Sequence, residues 1–147
     1  MSLIKKETYI FGNLFYLANK FQAIMDRDFA RHGLTTKQWF LMAVLGEFFE
    51  SPPTLKMLAK RMGSSHQNVK QIALKLEGKG FIKLSKDSDD KRAVRVEMTE
   101  YCNAYWTNRA EGDLEFFKNL FETFEEAEVH QLFELLDKLT RAVDGLD

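Results

Sequence analysis

The 147-residue sequence has one cysteine and only three histidines, and these shortages exclude two kinds of stabilised scaffold. Cys102 has no second cysteine with which to form an internal disulfide. The histidines, His32, His66 and His130, are too scattered to form a zinc site with it. We therefore expect neither a disulfide framework nor a structural metal, and no cofactor.

Long apolar runs are also missing. No stretch reaches the roughly 18 apolar residues of a membrane span, and the N-terminal segment lacks a long apolar region followed by a small-residue cleavage site. We expect a cytoplasmic protein without a membrane partner. Prolines occur only at Pro52 and Pro53, and the rest of the chain is rich in helix formers, which favours a mainly helical fold.

The motifs of common enzyme classes are absent as well. The sequence has no GxSxG, no glycine-rich phosphate loop and no HExxH. Glu125, Glu126 and Glu128 fit the first turn of a helix, where the helix dipole favours acidic side chains, better than they fit a catalytic pair. We expect no enzymatic activity and name no catalytic residue.

A basic middle segment lies between two flanks that together are acidic. Residues 54–98 hold eleven basic and five acidic residues, a local charge of +6, whereas the rest of the chain carries −7. Twelve of the thirteen phenylalanines lie in the flanks, Phe81 being the exception. A compact basic segment is typical of a surface that binds a polyanion, although the alternative is an ordinary solvated face.

Apolar residues spaced by three and four predict six helices. Gly33 and Gly63 are placed to end the first and third of them, and Thr36, Thr54 and Thr99 are the expected N-caps of the second, third and fifth. The first three predicted helices span about 8–31, 36–49 and 55–62. The fourth is capped by Ser64 or Ser65, and the last two span about 99–121 and 125–143.

An alternating stretch between the fourth and fifth helices predicts a hairpin with strands 81–85 and 93–98. Its apolar face comprises Ile82, Leu84, Val94, Val96 and Met98. The predicted fold class is therefore mainly α with a small β-hairpin wing.

The third and fourth helices, with the tight turn at Gly63, form a helix-turn-helix. The apolar stripe of the fourth helix consists of Val69, Ile72, Ala73 and Leu76. Its other side presents amide, hydroxyl and basic groups that can bind bases and phosphates; the candidate DNA-binding residues are Ser65, His66, Gln67, Asn68, Lys70, Gln71 and Lys75. An ordinary solvated helix face is the alternative.

The hairpin loop ends in Lys91 and Arg92, which complete the candidate DNA-binding set. An arginine inserted into the minor groove gains from the negative potential there. Acidic residues precede it, so we expect Asp90 to orient Arg92 while Asp87 pins the turn. Simple capping of turns is the alternative role of both carboxylates.

Several segments together resemble the MarR family of winged helix-turn-helix transcription regulators. They are GLTTKQWFLMAVL, LEGKGFI, the wing with Asp87, Asp90 and Arg92, and the strand that ends at Met98 and Thr99. The resemblance covers nearly the whole chain and needs no gap from Leu58 to Arg92. It implies an obligate homodimer that binds a palindromic operator of double-stranded DNA and represses nearby genes. It also implies that the protein releases DNA when a small aromatic or anionic effector binds or when a cysteine is oxidised.

The sequence departs from the family pattern at three places. Ser88 stands where a proline is frequent, Cys102 stands where a glycine is frequent, and residues 1–32 lack the cysteine that peroxide-sensing members carry in the first helix. Peroxide sensing by that route is not expected. We expect Cys102 to be a buried, unreactive thiol; the alternative is a thiol activated by the helix dipole.

The aromatic flanks predict how one MarR-like domain, residues 1–147, is organised. Residues 54–98 form the DNA-binding lobe, and 1–32 and 122–147 form dimerisation helices; packing of these helices within one subunit is the alternative. We expect an effector pocket at the hinge, with candidate residues Tyr16, Trp39, Tyr105 and Trp106. The alternative function is a helical dimeric adaptor without DNA binding, which leaves the polar helix face without a role.

Overall fold

The computed structural model describes residues 1–146 and confirms the predicted fold class, with helices and a two-stranded antiparallel hairpin in the predicted order. Contacts divide the chain into two compact units, Met1–Asn103 and the segment from Ala104 onward. The elements are α1 (Leu3–Phe29), a 3₁₀ turn (Ala30–His32), α2 (Thr36–Phe48), α3 (Leu55–Met62), α4 (His66–Gly78), β1 (Ile82–Lys86), β2 (Val94–Met98), α5 (Glu100–Leu120) and α6 (Glu126–Asp144).

The core of the first unit lies among α2, α3, α4 and the hairpin. Leu41, Leu58, Leu76 and Val96 are completely buried there, one from each of these elements. Burying such a side chain contributes about 1.5–3 kcal/mol. This core holds the predicted apolar stripe of α4 inward: Val69, Ala73 and Leu76 are buried, and Ile72 is half-buried.

The first helix begins five residues earlier than predicted, at Leu3 rather than Thr8. Leu3 and Ile4 are followed by three charged residues, so the apolar spacing by threes and fours is interrupted before Ile10. The predicted end is confirmed: the 3₁₀ turn stops at Gly33, whose φ of 67° is left-handed and costs glycine little.

The N-cap of α2 is Thr35, so the expectation of Thr36 was wrong. Thr35 Oγ1 accepts from the Gln38 N–H at 3.2 Å, and Gln38 Oε1 accepts from the Thr35 N–H at 3.2 Å, which forms a capping box. Thr36 instead donates its hydroxyl to Asp26 Oδ1 at 2.6 Å and its N–H at 2.8 Å. The hydrogen bond from the Thr36 hydroxyl is the main cause that lowers the pKa of Asp26, and the hydrogen bond from the Thr36 N–H is the second.

The remaining caps agree closely with the sequence. Thr54 Oγ1 accepts from the Met57 N–H, Ser65 rather than Ser64 caps α4, and Thr99 Oγ1 accepts from the Cys102 N–H at 3.1 Å. Glu125 is the N-cap of α6 rather than its first residue.

In the hairpin, Ile82 lies opposite Met98 and Leu84 opposite Val96, so these residues of the predicted apolar face share one side. A short bridge joins Thr54 to Arg95, and the Val96 N–H donates to the Pro53 carbonyl at 2.9 Å. The hairpin is thereby attached to the chain just before α3. No helix among residues 1–146 has the length and hydropathy of a membrane span.

The second unit contains most of α5 and all of α6. Every residue of α6 is exposed, including an apolar stripe with Leu132, Leu136 and Leu139. In the first unit, Phe29 is the only buried residue of the 27 in α1. Both helices that the sequence assigns to dimerisation therefore present apolar side chains to solvent in the single chain.

Candidate nucleic-acid interface

The tight turn between α3 and α4 is built by one glycine and one serine. Gly63 has a φ of 64° and ends α3 in the left-handed conformation. Ser65 Oγ then accepts from the Asn68 N–H at 3.2 Å and caps α4. Ser65, a predicted DNA contact, is thus exposed at the helix start, where its hydroxyl already has a structural role.

The outward face of α4 carries the other predicted base and phosphate contacts. Because Val69, Ala73 and Leu76 point into the core, the polar residues of the helix are all exposed. No acidic residue occurs on α4 before Glu77. The structure therefore brings these predicted residues to one exposed surface: His66, Gln67, Asn68, Lys70, Gln71 and Lys75.

Glu77 attaches the end of α4 to the hairpin. Its Oε2 accepts from the Leu84 N–H at 2.8 Å, across seven residues of sequence. This contact joins β1 to the last turn of α4. We did not predict it, and its sequence signal is only an acidic residue shortly before a strand.

Lys79 makes a second attachment, to the start of α2. Its ammonium donates to the Gly33 carbonyl and to Gln38 Oε1, the latter at 3.2 Å. Gln38 is buried and belongs to the capping box of α2. The end of α4 is therefore anchored to α2 as well as to the hairpin.

The wing loop is organised by Asp87, as predicted. Its Oδ2 accepts from the N–H groups of Asp89 at 3.3 Å and Asp90 at 3.0 Å. Its Oδ1 accepts from Arg95 Nε at 2.7 Å. The hydrogen bond from Arg95 is the main cause that lowers the pKa of Asp87, and the hydrogen bond from the Asp90 N–H is the second. A carboxylate in the loop is thus neutralised within the protein.

The arginine held by a wing carboxylate is Arg95, and the expectation that Asp90 holds the Arg92 side chain is corrected accordingly. Asp90 Oδ1 accepts from the main-chain N–H of Arg92 at 3.0 Å, so it fixes the backbone there. Arg95 also donates to the Pro52 carbonyl at 3.0 Å. Arg92 and Lys91 are exposed. Arg95 was missed because it lies opposite Ser85 rather than Asp87, so its contact with Asp87 depends on how its side chain reaches across the hairpin.

A cavity of about 440 Å³ lies between the wing and the starts of α3 and α4. It brings Arg92 and Asp90 together with His66 and Lys70, all predicted site residues. Lys56 of α3 also lines it and was not predicted; its only sequence signal was membership of the basic segment. Three lysine and arginine side chains with one carboxylate give this surface a positive charge.

A second cavity, of about 580 Å³, lies on the other flank of α4. Its lining includes Asn68, Gln71 and Lys75 from α4 and Lys37 from α2. Polar and cationic groups therefore border α4 on both sides.

The four residues expected to line an effector pocket do not line either cavity. Tyr16 is exposed on α1, and Trp39 is half-buried on α2 and stacks on Phe40 with ring centres 6.4 Å apart. In the second unit, Tyr105 and Trp106 are half-buried and meet edge to face at 4.9 Å. The pocket stays a prediction.

Cys102 is completely buried, as expected, with its Sγ 3.7 Å from Met42 Sδ. A buried thiol against a thioether is poorly placed to meet an oxidant.

The sequence and the fold of the chain are similar to those of known transcriptional regulators. The sequence model of the MarR family matches residues 32–93, from the end of the 3₁₀ turn through the wing loop. The transcriptional activatory protein BadR of Rhodopseudomonas palustris is 29% identical over 147 aligned positions, which cover 92% of this chain and 81% of BadR.

Solved structures agree over nearly the full chain. A MarR/EmrR family transcriptional regulator from Acinetobacter sp. ADP1 has a TM-score of 0.80 at 28% identity, with 99% of each chain covered. The transcriptional regulator BldR from Sulfolobus solfataricus has a TM-score of 0.83 at 20% identity, covering 97% of this chain and 99% of BldR, and shows the shared fold.

Proposed function

The chain belongs to the MarR family of DNA-binding, winged helix-turn-helix transcriptional regulators, and from that premise we propose that it acts as a homodimer on a palindromic operator. Each subunit inserts α4 into a major groove and Arg92 into the adjacent minor groove. The two copies of α4 then lie about 34 Å apart, one turn of B-DNA. This function places the protein in the cytoplasm.

The observation that carries the proposal is the exposed face of α4 beside the wing. Gln67, Lys70 and Gln71 are all exposed there, and the 440 Å³ cavity brings Lys70 next to Arg92. Glutamine can pair in a bidentate manner with adenine, and lysine can donate to guanine. A helical adaptor requires none of these groups on one face.

The cations at the margins are suited to phosphates. Lys75 lies nine residues after the first residue of α4, Lys56 lies at the start of α3, and Lys91 lies at the wing loop. Phosphate contacts fix the position of the protein on the duplex without reading its sequence. They also make affinity fall steeply as salt rises.

The proposal of a homodimer is supported by the exposed apolar faces of α1 and α6. Phe11 and Phe15 of α1 are 66% and 61% exposed, and Phe133 of α6 is 70% exposed. Apolar patches of this kind mark association surfaces. A second copy covers both helices by two-fold symmetry.

We propose that the protein binds its own promoter region and represses transcription there. Binding of a small aromatic or anionic effector then releases the protein from DNA. The candidate residues of the effector pocket are Tyr16, Trp39, Tyr105 and Trp106. The name of BadR, an activatory protein, supports activation as the second possibility. A promoter–reporter assay distinguishes the two: expression rises on deletion of the gene if the protein represses and falls if it activates.

Selection of bound sequences from random duplex DNA tests the main proposal. A palindrome with half-sites about one helical turn apart is expected. Gln67→Ala and Gln71→Ala should each relax preference at one position per half-site, by about 1–3 kcal/mol of discrimination. Recovery of no enriched sequence, together with a dimeric state in solution, would favour the adaptor.

A further inference from the structure

One apolar side chain lies on the polar face of α4. Leu74 is 51% exposed, in the third turn of the helix. Residues three, four and seven positions before it are Gln71, Lys70 and Gln67, which share its face by helical geometry. Leu74 therefore belongs to the surface that the proposed function places in the major groove.

Core packing does not account for this leucine. The buried positions of α4 are Val69, Ala73 and Leu76, on the opposite side. One turn further along, Gly78 has no side chain, and a Cβ built there would meet no atom within 4 Å. The helix surface next to Leu74 is consequently open to a closely approaching partner.

Resting on the proposed function, we propose that Leu74 contacts the 5-methyl group of a thymine and sets base preference at that position. The major-groove edges of base pairs present donors, acceptors and one apolar group, which is the thymine methyl. A leucine can neither donate nor accept, so that methyl is the group it complements. The amide and basic neighbours favour DNA over a protein as the partner of this face.

Helix geometry places the thymine relative to the other contacts. Seven residues separate Gln67 from Leu74, which corresponds to about 10 Å along the helix axis. Base pairs repeat every 3.4 Å, so the thymine lies about three base pairs from the base that Gln67 reads. Each half-site of the palindrome contains one such position.

Replacement of thymine by deoxyuridine removes only the methyl group and so tests the inference directly. Each thymine of the selected operator is replaced in turn, symmetrically in both half-sites, and binding is titrated. For the wild type we expect one position where the loss is about fourfold per half-site, the effect of burying one methyl-sized group. 5-Bromodeoxyuridine at that position should restore affinity, because bromine is apolar and similar in size to methyl.

Matched variants assign the effect to this side chain. Leu74→Ala should bind thymine and deoxyuridine operators equally at that position, while Leu74→Met and Gln71→Ala keep the preference for thymine. Unchanged thermal midpoints of the variants show that the fold is intact.

The two proposals fail in different ways. Sequence-specific binding by the wild type with no Leu74-dependent methyl effect would overturn the role of Leu74 and leave the operator function standing. Absence of any selected operator would overturn both. Loss of self-association in Leu74→Ala would assign this leucine to a protein contact instead.

Discussion

Arg92 and Arg95 lie three residues apart in the wing but differ in their surroundings. Arg95 donates to Asp87 Oδ1 and to the Pro52 carbonyl, so its charge is compensated within the protein. Arg92 is exposed, and its main-chain N–H is fixed by Asp90. The side chain of Arg92 is thus available to DNA from an ordered backbone, whereas Arg95 stabilises the loop.

Arg92→Ala should weaken binding about tenfold to operators with A·T-rich flanks, because a narrow minor groove concentrates negative potential around an inserted arginine. Anisotropy titrations at one salt concentration, with A·T-flanked and G·C-flanked duplexes, measure the effect. Equal losses on both duplexes would indicate a phosphate contact, and no loss on either would contradict a DNA contact by Arg92.

Asp87 should make stability depend on pH in the acid range. Its pKa is lowered below 3.8 in the folded protein, chiefly by the Arg95 hydrogen bond. The folded state therefore gains stability above the unfolded pKa and loses it as the pH falls through the lowered value. The thermal midpoint of the wild type should exceed that of Asp87→Asn between pH 5 and 7, and the gap should narrow below about pH 4. A gap independent of pH would show that the ionised carboxylate contributes nothing.

At the scale of elements, helix interiors were predicted better than helix ends. The stripe of α4 was correct because every third or fourth side chain is buried. The start of α1 was wrong because charged residues at positions 5–7 interrupt its apolar spacing. The predicted N-cap of α2 was wrong because threonine, which can cap a helix, occurs at both positions 35 and 36. The Thr36 hydroxyl donates to Asp26, ten residues earlier, and Thr35 is the residue that caps the helix.

The contact between α4 and β1 leads to a prediction about Glu77. Glu77→Ala removes the acceptor of the Leu84 N–H, an exposed hydrogen bond that contributes about 0.5–1.5 kcal/mol. The wing then loses a restraint relative to α4. We expect the preference for A·T flanks to decrease several-fold while base preference at the positions read by Gln67 and Gln71 is kept. Selection or titration with flank variants measures both.

Glu77→Gln is the control, since it removes the charge but retains an acceptor oxygen. It should keep the flank preference, and its affinity should rise slightly at low salt because a negative charge near DNA is lost. If both variants behave alike, charge rather than wing position explains the effect.

At the scale of the whole molecule, charge and apolar surface are distributed over different parts of the chain. The +6 segment contains α3, α4 and the hairpin, whereas the acidic remainder contains α1 and α6 with their exposed apolar side chains. Helix α6 carries five acidic and two basic residues and is therefore repelled by phosphates, whereas α1 carries three acidic and four basic residues.

Leu136→Asp should convert a dimer into a monomer of 17.1 kDa. Leu136 is 42% exposed on the apolar stripe of α6, and a carboxylate there is unfavourable once a second copy covers it. Operator affinity should fall by at least about a hundredfold, because two linked half-site contacts become one. Sedimentation equilibrium and titration with the operator measure the two effects.

Lys138→Asp, an exposed substitution on the same helix away from the stripe, is the control and should leave the dimer intact. A monomeric wild type would contradict this prediction, as would a Leu136→Asp dimer with full operator affinity.

The sequence by itself determined the helix and hairpin order, the apolar face of the hairpin and the outward face of α4, because each depends on periodicity over a few neighbouring residues. Only the tertiary structure decided that Asp87 pairs with Arg95, that Glu77 accepts a hydrogen bond from β1 and that Lys56 and Arg92 line the same cavity. These contacts join residues on different elements, and their geometry is set by how the core packs rather than by local pattern.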